Sequence, residues 1–181
     1  MSNKDLLALL RGADRRSIGR ADEVVVAVLK QPGLFPELVA GLWDIDPVVR
    51  LRAADAVEKV SRKQPELLHP FKAELLGLLA EASQQELRWH LAQMAPRLPF
   101  TRKERLRAAS LLKDYLKDRS SIVKTFAMQA LADLANGDPA LLPQTIEVLE
   151  QAMHAGTPAM RARARKLLAQ IARLQSKNEQ L

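Results

Sequence analysis

Apolar residues recur along this chain at helical rather than strand spacing. Counting from Arg50, apolar side chains fall one residue before and three, six, seven and ten residues after, at Val49, Ala53, Ala56, Val57 and Val60. The same offsets from Arg88 give Leu87, Leu91, Met94, Ala95 and Leu98, and from Lys124 they give Val123, Ala127, Ala130, Leu131 and Leu134. From Arg161 they give Met160, Ala164, Leu167, Leu168 and Ile171. At 100° per residue these positions share an arc of about 120° on one helix face. The preceding segments are apolar at helical spacing as well, as in Leu141, Leu142, Ile146 and Leu149. The pattern predicts five helix pairs. Their first helices cover approximately 4–11, 34–43, 66–81, 102–117 and 139–154, and their second helices 17–30, 47–62, 84–98, 120–135 and 158–174.

The pairs repeat at a fixed period. The basic residues Arg50, Arg88, Lys124 and Arg161 are 38, 36 and 37 residues apart, and Arg20 supplies an earlier member. Proline-framed segments at 30–36, 63–70 and 137–143 give an independent register, with Pro65 and Pro139 separated by twice 37 residues. Self-similarity of this length marks a stacked array, in which each unit buries its apolar face against its neighbours. The expected repeats are 4–31, 32–63, 64–99, 100–136 and 137–175, within one domain spanning 1–181 and ending in a polar tail at 176–181. Asp46-Pro47 and Thr157-Pro158 each place an N-cap before a proline at the first helical position. Pro96 is expected to end its helix early.

Composition supports the helical reading. The 181 residues include 31 Leu and 27 Ala against 16 Val plus Ile, which favours helix over sheet. The fold class is therefore all-α, an α-α superhelix or solenoid. The absence of cysteine excludes disulfides, thiolate zinc sites and cysteine nucleophiles. The longest clean apolar run, Val24 to Leu29, has six residues, whereas a membrane span needs about 20. A secretory leader is not recognisable either, so a cytoplasmic protein without a membrane partner is expected. No phosphate-binding loop, dinucleotide fingerprint or nucleophile elbow occurs, and no catalytic residue, cofactor or metal is expected. His69, His90 and His154 fall in different repeats, without metal-ligand spacing. Asp44 and Asp46 read as a turn acid followed by an N-cap.

These residues resemble the HEAT repeat family of armadillo-type α-solenoids over roughly 4–174. The family pattern has a proline in the first helix, matched here by Pro36, Pro70 and Pro143. It has an acid in the turn, matched by Asp14, Asp44 and Asp118, and an apolar-then-basic pair opening the second helix, matched by Val49-Arg50, Leu87-Arg88, Val123-Lys124 and Met160-Arg161. The resemblance implies a ladder of Asp–Arg ion pairs along the stack. Ala82 and Ala155 stand where repeats three and five would carry the acid, and repeat four lacks the proline. Proteins of this architecture include scaffolds and adaptors, bilin lyases and alkylpurine DNA glycosylases. The aromatic groove with a poised carboxylate that a glycosylase needs is not evident.

The resemblance implies that second helices line a concave surface. The slot two residues after each basic landmark, Arg52, His90, Phe126 and Arg163, is placed to face that groove, with Trp89 beside it. Aromatic and arginine side chains of this kind dominate protein-binding energy. The expectation is a noncatalytic scaffold that binds a protein partner through these residues. The alternative is nucleic-acid binding through basic patches, with an enzyme of the glycosylase or lyase type a further option. Candidate anion-binding residues are Arg102, Lys103, Arg105 and Arg107 in one run, preceded by Arg97, and Arg161, Arg165 and Lys166 in another. The net charge of +7 is local. Residues 1–150 carry 22 basic and 20 acidic groups, whereas 151–178 carry six basic and no acidic ones. A global argument for nucleic acid from charge is therefore weak, and the question narrows to one terminal helix.

Overall fold

Each predicted second helix forms in the computed structural model, which describes residues 6–12, 14 and 17–178. These helices are α1 (Ala21–Lys30), α3 (Pro47–Lys63), α5 (Gln85–Met94), α7 (Ser121–Asn136) and α9 (Pro158–Asn178). Four first helices stand between them: α2 (Phe35–Ala40), α4 (Lys72–Glu81), α6 (Arg102–Tyr115) and α8 (Leu142–Ala155). Among the described residues there is no strand. The arcs read from the sequence are the buried faces. Val49, Ala53, Ala56, Val57 and Val60 are fully covered, as are Val123 and Ala127. Of the 20 predicted positions only Met160 and Leu168 keep partial exposure, both on α9.

Departures from the predicted boundaries have local causes. The first helix of repeat one is a single 3-10 turn, Leu7–Leu10, and the predicted start at residues 4 and 5 lies outside the described residues. The second helix of that repeat starts at Ala21 rather than 17, because Gly19 adopts φ +56°, which helices do not accept. In repeat three the chain winds as 3-10 helix over Pro65–Phe71 before α4 begins. Pro70 has no N–H to continue an α-helix from residue 66. Pro96 acts as expected: α5 stops at Met94 and a 3-10 turn, Ala95–Arg97, follows. Repeat four lacks the proline and opens instead with a capping box. The Thr101 hydroxyl accepts from the Glu104 amide at 3.3 Å, and the Thr101 amide donates to the Glu104 carboxylate at 2.7 Å. The expected tail at 176–181 is in part helix, since α9 runs to Asn178; residues 179–181 lie outside the described residues.

The chain folds as two units, residues 1–99 and 100–181. The division falls at the predicted junction of repeats three and four. In the first unit α3 packs between α1 and α5, and Leu10, Val24, Val28, Phe35, Leu38, Leu42 and Leu68 are buried. Phe35 and Phe71 meet edge to face, with ring centroids 6.0 Å apart. In the second unit Met128 and Ala132 of α7, Leu149 and Ala152 of α8, and Ala164, Leu167 and Ile171 of α9 form one apolar cluster.

The turn acids of repeats two and four bond the backbone of their own turns, and Asp44 also stands 3.9 Å from Arg11. The Asp44 carboxylate accepts from the Asp46 amide at 2.8 Å, and Asp46 caps α3 by accepting from the Val48 amide at 2.8 Å. Asp118 and Ser120 repeat the arrangement, accepting from the Ser120 and Val123 amides at 2.8 and 3.4 Å. Arg50 donates to the backbone carbonyls of Asp44 and Ile45, at 2.8 and 3.1 Å, and to the Gln84 side chain of the next repeat at 2.9 Å. Gln84 in turn donates to the Pro47 carbonyl at 2.9 Å. Arg20 pairs with Glu23 at 2.7 Å on an exposed helix start. Turn carboxylates thus satisfy amides, and Arg50 ties two repeats together through carbonyls and a glutamine.

Candidate functional site

In the first unit polar contacts tie α3 to α1 and to the 3-10 turn that follows α5. Lys59 of α3 bridges Asp22 of α1 at 2.7 Å and Asp55 of its own helix at 2.8 Å. Burial disfavours the ammonium charge, yet the hydrogen bonds to the two carboxylates outweigh it and raise the Lys59 pKa above its ordinary value. Glu58, only 2% exposed, accepts from Arg62 at 2.5 Å and from Arg97 at 2.6 Å. Arg97 also donates to the Glu58 backbone carbonyl at 3.1 Å and to the Ser61 hydroxyl at 2.9 Å. Burial pushes the Glu58 carboxyl up, but the bonds from Arg62 and Arg97 together hold it below the usual carboxylate value.

His90 of α5 is buried, 8% exposed, and close enough to Asp55, Glu58, Lys59 and Arg62 to feel their charges. Burial pushes its pKa down to about 4, against the partial support of Asp55 and Glu58. Its Nδ1 has no hydrogen-bond partner among the described residues. His90 therefore does not face an open groove, contrary to the expectation from its slot. Trp89 is half-buried with its ring 5.6 Å from that of His90, and Gln93 donates to the Trp89 carbonyl at 3.3 Å.

Arg52 corrects the slot argument more sharply. It is 3% exposed, and its guanidinium donates to the carbonyls of Leu10, Arg11, Asp14 and Ser17 at 2.8–3.0 Å. The short first repeat leaves these carbonyls without helical partners, and Arg52 supplies the missing donors. Gly12, at φ +145°, and Gly19 lie against the guanidinium, and a Cβ at either would stand within 3 Å of it. Arg52 holds the N-terminal segment and is not open to a ligand.

In the second unit Phe126 of α7 is half-buried. Arg163 of α9 donates to the Gln129 side chain at 2.7 Å, and Gln129 donates to Asp133 at 2.9 Å. Of the first basic run, Arg102 stands 3.6 Å from Asp138 and Arg105 donates to the Gly137 carbonyl at 2.6 Å. Lys103 and Arg107 are exposed, as are Arg161, Arg165 and Lys166 on α9.

The predicted residues are thus divided between units. His90 and Trp89 adjoin one another in the first, Arg52 is set apart in its cage, and Phe126 and Arg163 occupy adjacent helices of the second. Sequence reasoning missed Asp22, Asp55, Glu58, Lys59 and Arg62. A signal was present: Asp55–Lys59 and Glu58–Arg62 are opposite charges four residues apart on one helix. Among the described residues no three His, Asp or Glu groups gather as metal ligands, and no helix is long and apolar enough to cross a membrane.

No family model matches the sequence, and no curated protein matches it either. Solved structures do. An engineered protein superposes with a TM-score of 0.64 at 20% identity, covering 94% of this chain and 79% of its own. A computationally designed armadillo repeat protein for modular peptide recognition gives 0.61 at 19% identity, covering 94% and 74%. A second designed armadillo repeat protein gives 0.63 at 17% identity, covering 90% and 79%. The chain has the armadillo-type helical-repeat fold, in keeping with the resemblance to HEAT repeats.

Proposed function

We propose that this chain is a noncatalytic repeat scaffold of the cytoplasm that binds a protein partner through its second helices. The observation that carries the reading is the part-exposure of one aromatic residue on a second helix of each unit, Trp89 on α5 and Phe126 on α7. The turn that follows α5 is tied to α3 by Arg97 to Glu58, and α7, which carries Phe126, is tied to α9 by Arg163 to Gln129. Bracing lowers the cost of ordering side chains on binding, and rigid aromatics provide anchors. One structural neighbour was designed for modular peptide recognition, which supports the same use of the fold.

Selection of peptides from a random display library on the immobilised full chain tests the proposal. Selected peptides are expected to lose about tenfold or more in affinity, corresponding to about 1.4 kcal/mol, on Trp89→Ala or Phe126→Ala. Circular dichroism melts would establish that the variants stay folded. Peptides that bind both variants as well as the parent would place recognition elsewhere, and a selection that yields no binder would count against the scaffold reading itself.

A further inference from the structure

The structure sorts the basic residues into those with partners and those without. Arg97 is committed to Glu58, Arg102 lies near Asp138, and Arg105 is bound to a backbone carbonyl. On α9 the side chains of Arg161, Arg165, Lys166 and Arg173 have no anionic partner among the described residues. All four are exposed, and no acidic residue occurs from 151 to 178 to neutralise them. Around Lys166 and Arg173 the surface is not purely polar. A hollow of about 590 Å³ is lined by Lys166, Ala169, Gln170, Arg173, Leu174 and Ser176. Leu174, 41% exposed, also borders a second hollow of about 500 Å³, which Leu142 and Ile171 help to line.

We infer that the outer face of α9 docks an acidic amphipathic helix of a protein partner. Charge complementarity specifies the acid: four cations on one helix, without internal partners, attract carboxylates and repel basic segments. Leu174, standing between two hollows, specifies the amphipathic character, because it offers an apolar contact that a phosphate backbone cannot use. The spacing specifies the length of the helix. Arg161, Arg165 and Arg173 extend about 18 Å along α9, a length that a partner helix of about 12 residues, at 1.5 Å per residue, spans. The residues named for this surface do not include Trp89 or Phe126, so each proposal can fail without the other.

The probe is a synthetic amphipathic helical peptide of about 20 residues, leucine on one face and glutamate beside it, titrated by fluorescence anisotropy against the full chain at about 50 mM salt. A Glu→Gln counterpart and a DNA duplex of about 20 base pairs serve as comparisons. The acidic peptide is expected to bind more tightly than either. Arg165→Glu with Lys166→Glu should weaken it about tenfold or more, and the neutral Leu174→Ser about fivefold. These positions are exposed, so melting temperatures should hold; Arg173→Glu gives a further charge reversal should the double variant lose helix content. Peptide binding that ignores both kinds of substitution overturns the inference. So does the absence of peptide binding, or tighter binding of DNA that is indifferent to Leu174→Ser, which would make α9 a nucleic-acid surface.

Discussion

His90 shows how one side chain carries the cost of its surroundings. Its imidazole is held neutral by burial, with a pKa of about 4 against the ordinary 6.5. The unfolded chain therefore binds a proton that the folded chain refuses between these two values. Stability rises with pH across this window and is lost as pH falls through it. Between pH 7 and 5, above most carboxylate titration, the expected loss is about 2 kcal/mol. Urea unfolding at both pH values checks it: His90→Gln, which takes up no proton, should lose much less than the parent. Equal losses would mean that His90 is solvated. The sequence placed His90 and Arg52 in the same slot as Phe126, at the edge of the apolar arc. Whether such a slot opens or closes depends on what packs over it. Over Arg52 it is the loop left by an undersized first repeat, and no periodicity encodes that.

At the scale of the element, three helix boundaries set by proline were legible, whereas the starts shifted by Gly19 and Pro70 were not. Pro47, Pro96 and Pro158 each act where the chain has no amide to give. The consequence of the stop at Pro96 was not legible, since it lies across two helices. By ending α5 in a 3-10 turn, the chain carries Arg97 back to α3, where it meets Glu58, its backbone carbonyl and Ser61. Arg97→Ala leaves a buried carboxylate with Arg62 as its remaining partner, and Arg62 is 63% exposed. The expected loss is about 2–3 kcal/mol, somewhat less than for removing the sole partner of a buried charge. In the Glu58→Leu background the same substitution should cost less than about 1 kcal/mol, because no carboxylate is stranded. Equal costs in the two backgrounds would show that Arg97 contributes packing alone.

For the whole molecule, the two units differ in charge as well as in sequence. Residues 1–99 carry 14 basic and 13 acidic groups, and residues 100–181 carry 14 and eight, so the excess lies almost wholly in the second unit. The repeat period read from the chain anticipated the helical-repeat fold because each repeat must bury the same face. It could not tell which cations fold back on the protein, since that depends on contacts between residues more than 30 apart, such as Arg105 with Gly137. The same logic of shared burial predicts the effect of shortening the array. Helix α9 supplies Ala164, Leu167 and Ile171 to the core of the second unit, against Met128, Ala132, Leu149 and Ala152. Deleting 158–181 uncovers that face and removes the cations that keep it in solution. The truncated chain is expected to self-associate at concentrations where the full chain does not, as read by light scattering. Its first unit should keep a separate unfolding transition, because the α3–α5 network around Glu58 lies within residues 1–99. A soluble monomeric truncation that unfolds like the full chain would show that α9 is peripheral to the core rather than its last layer.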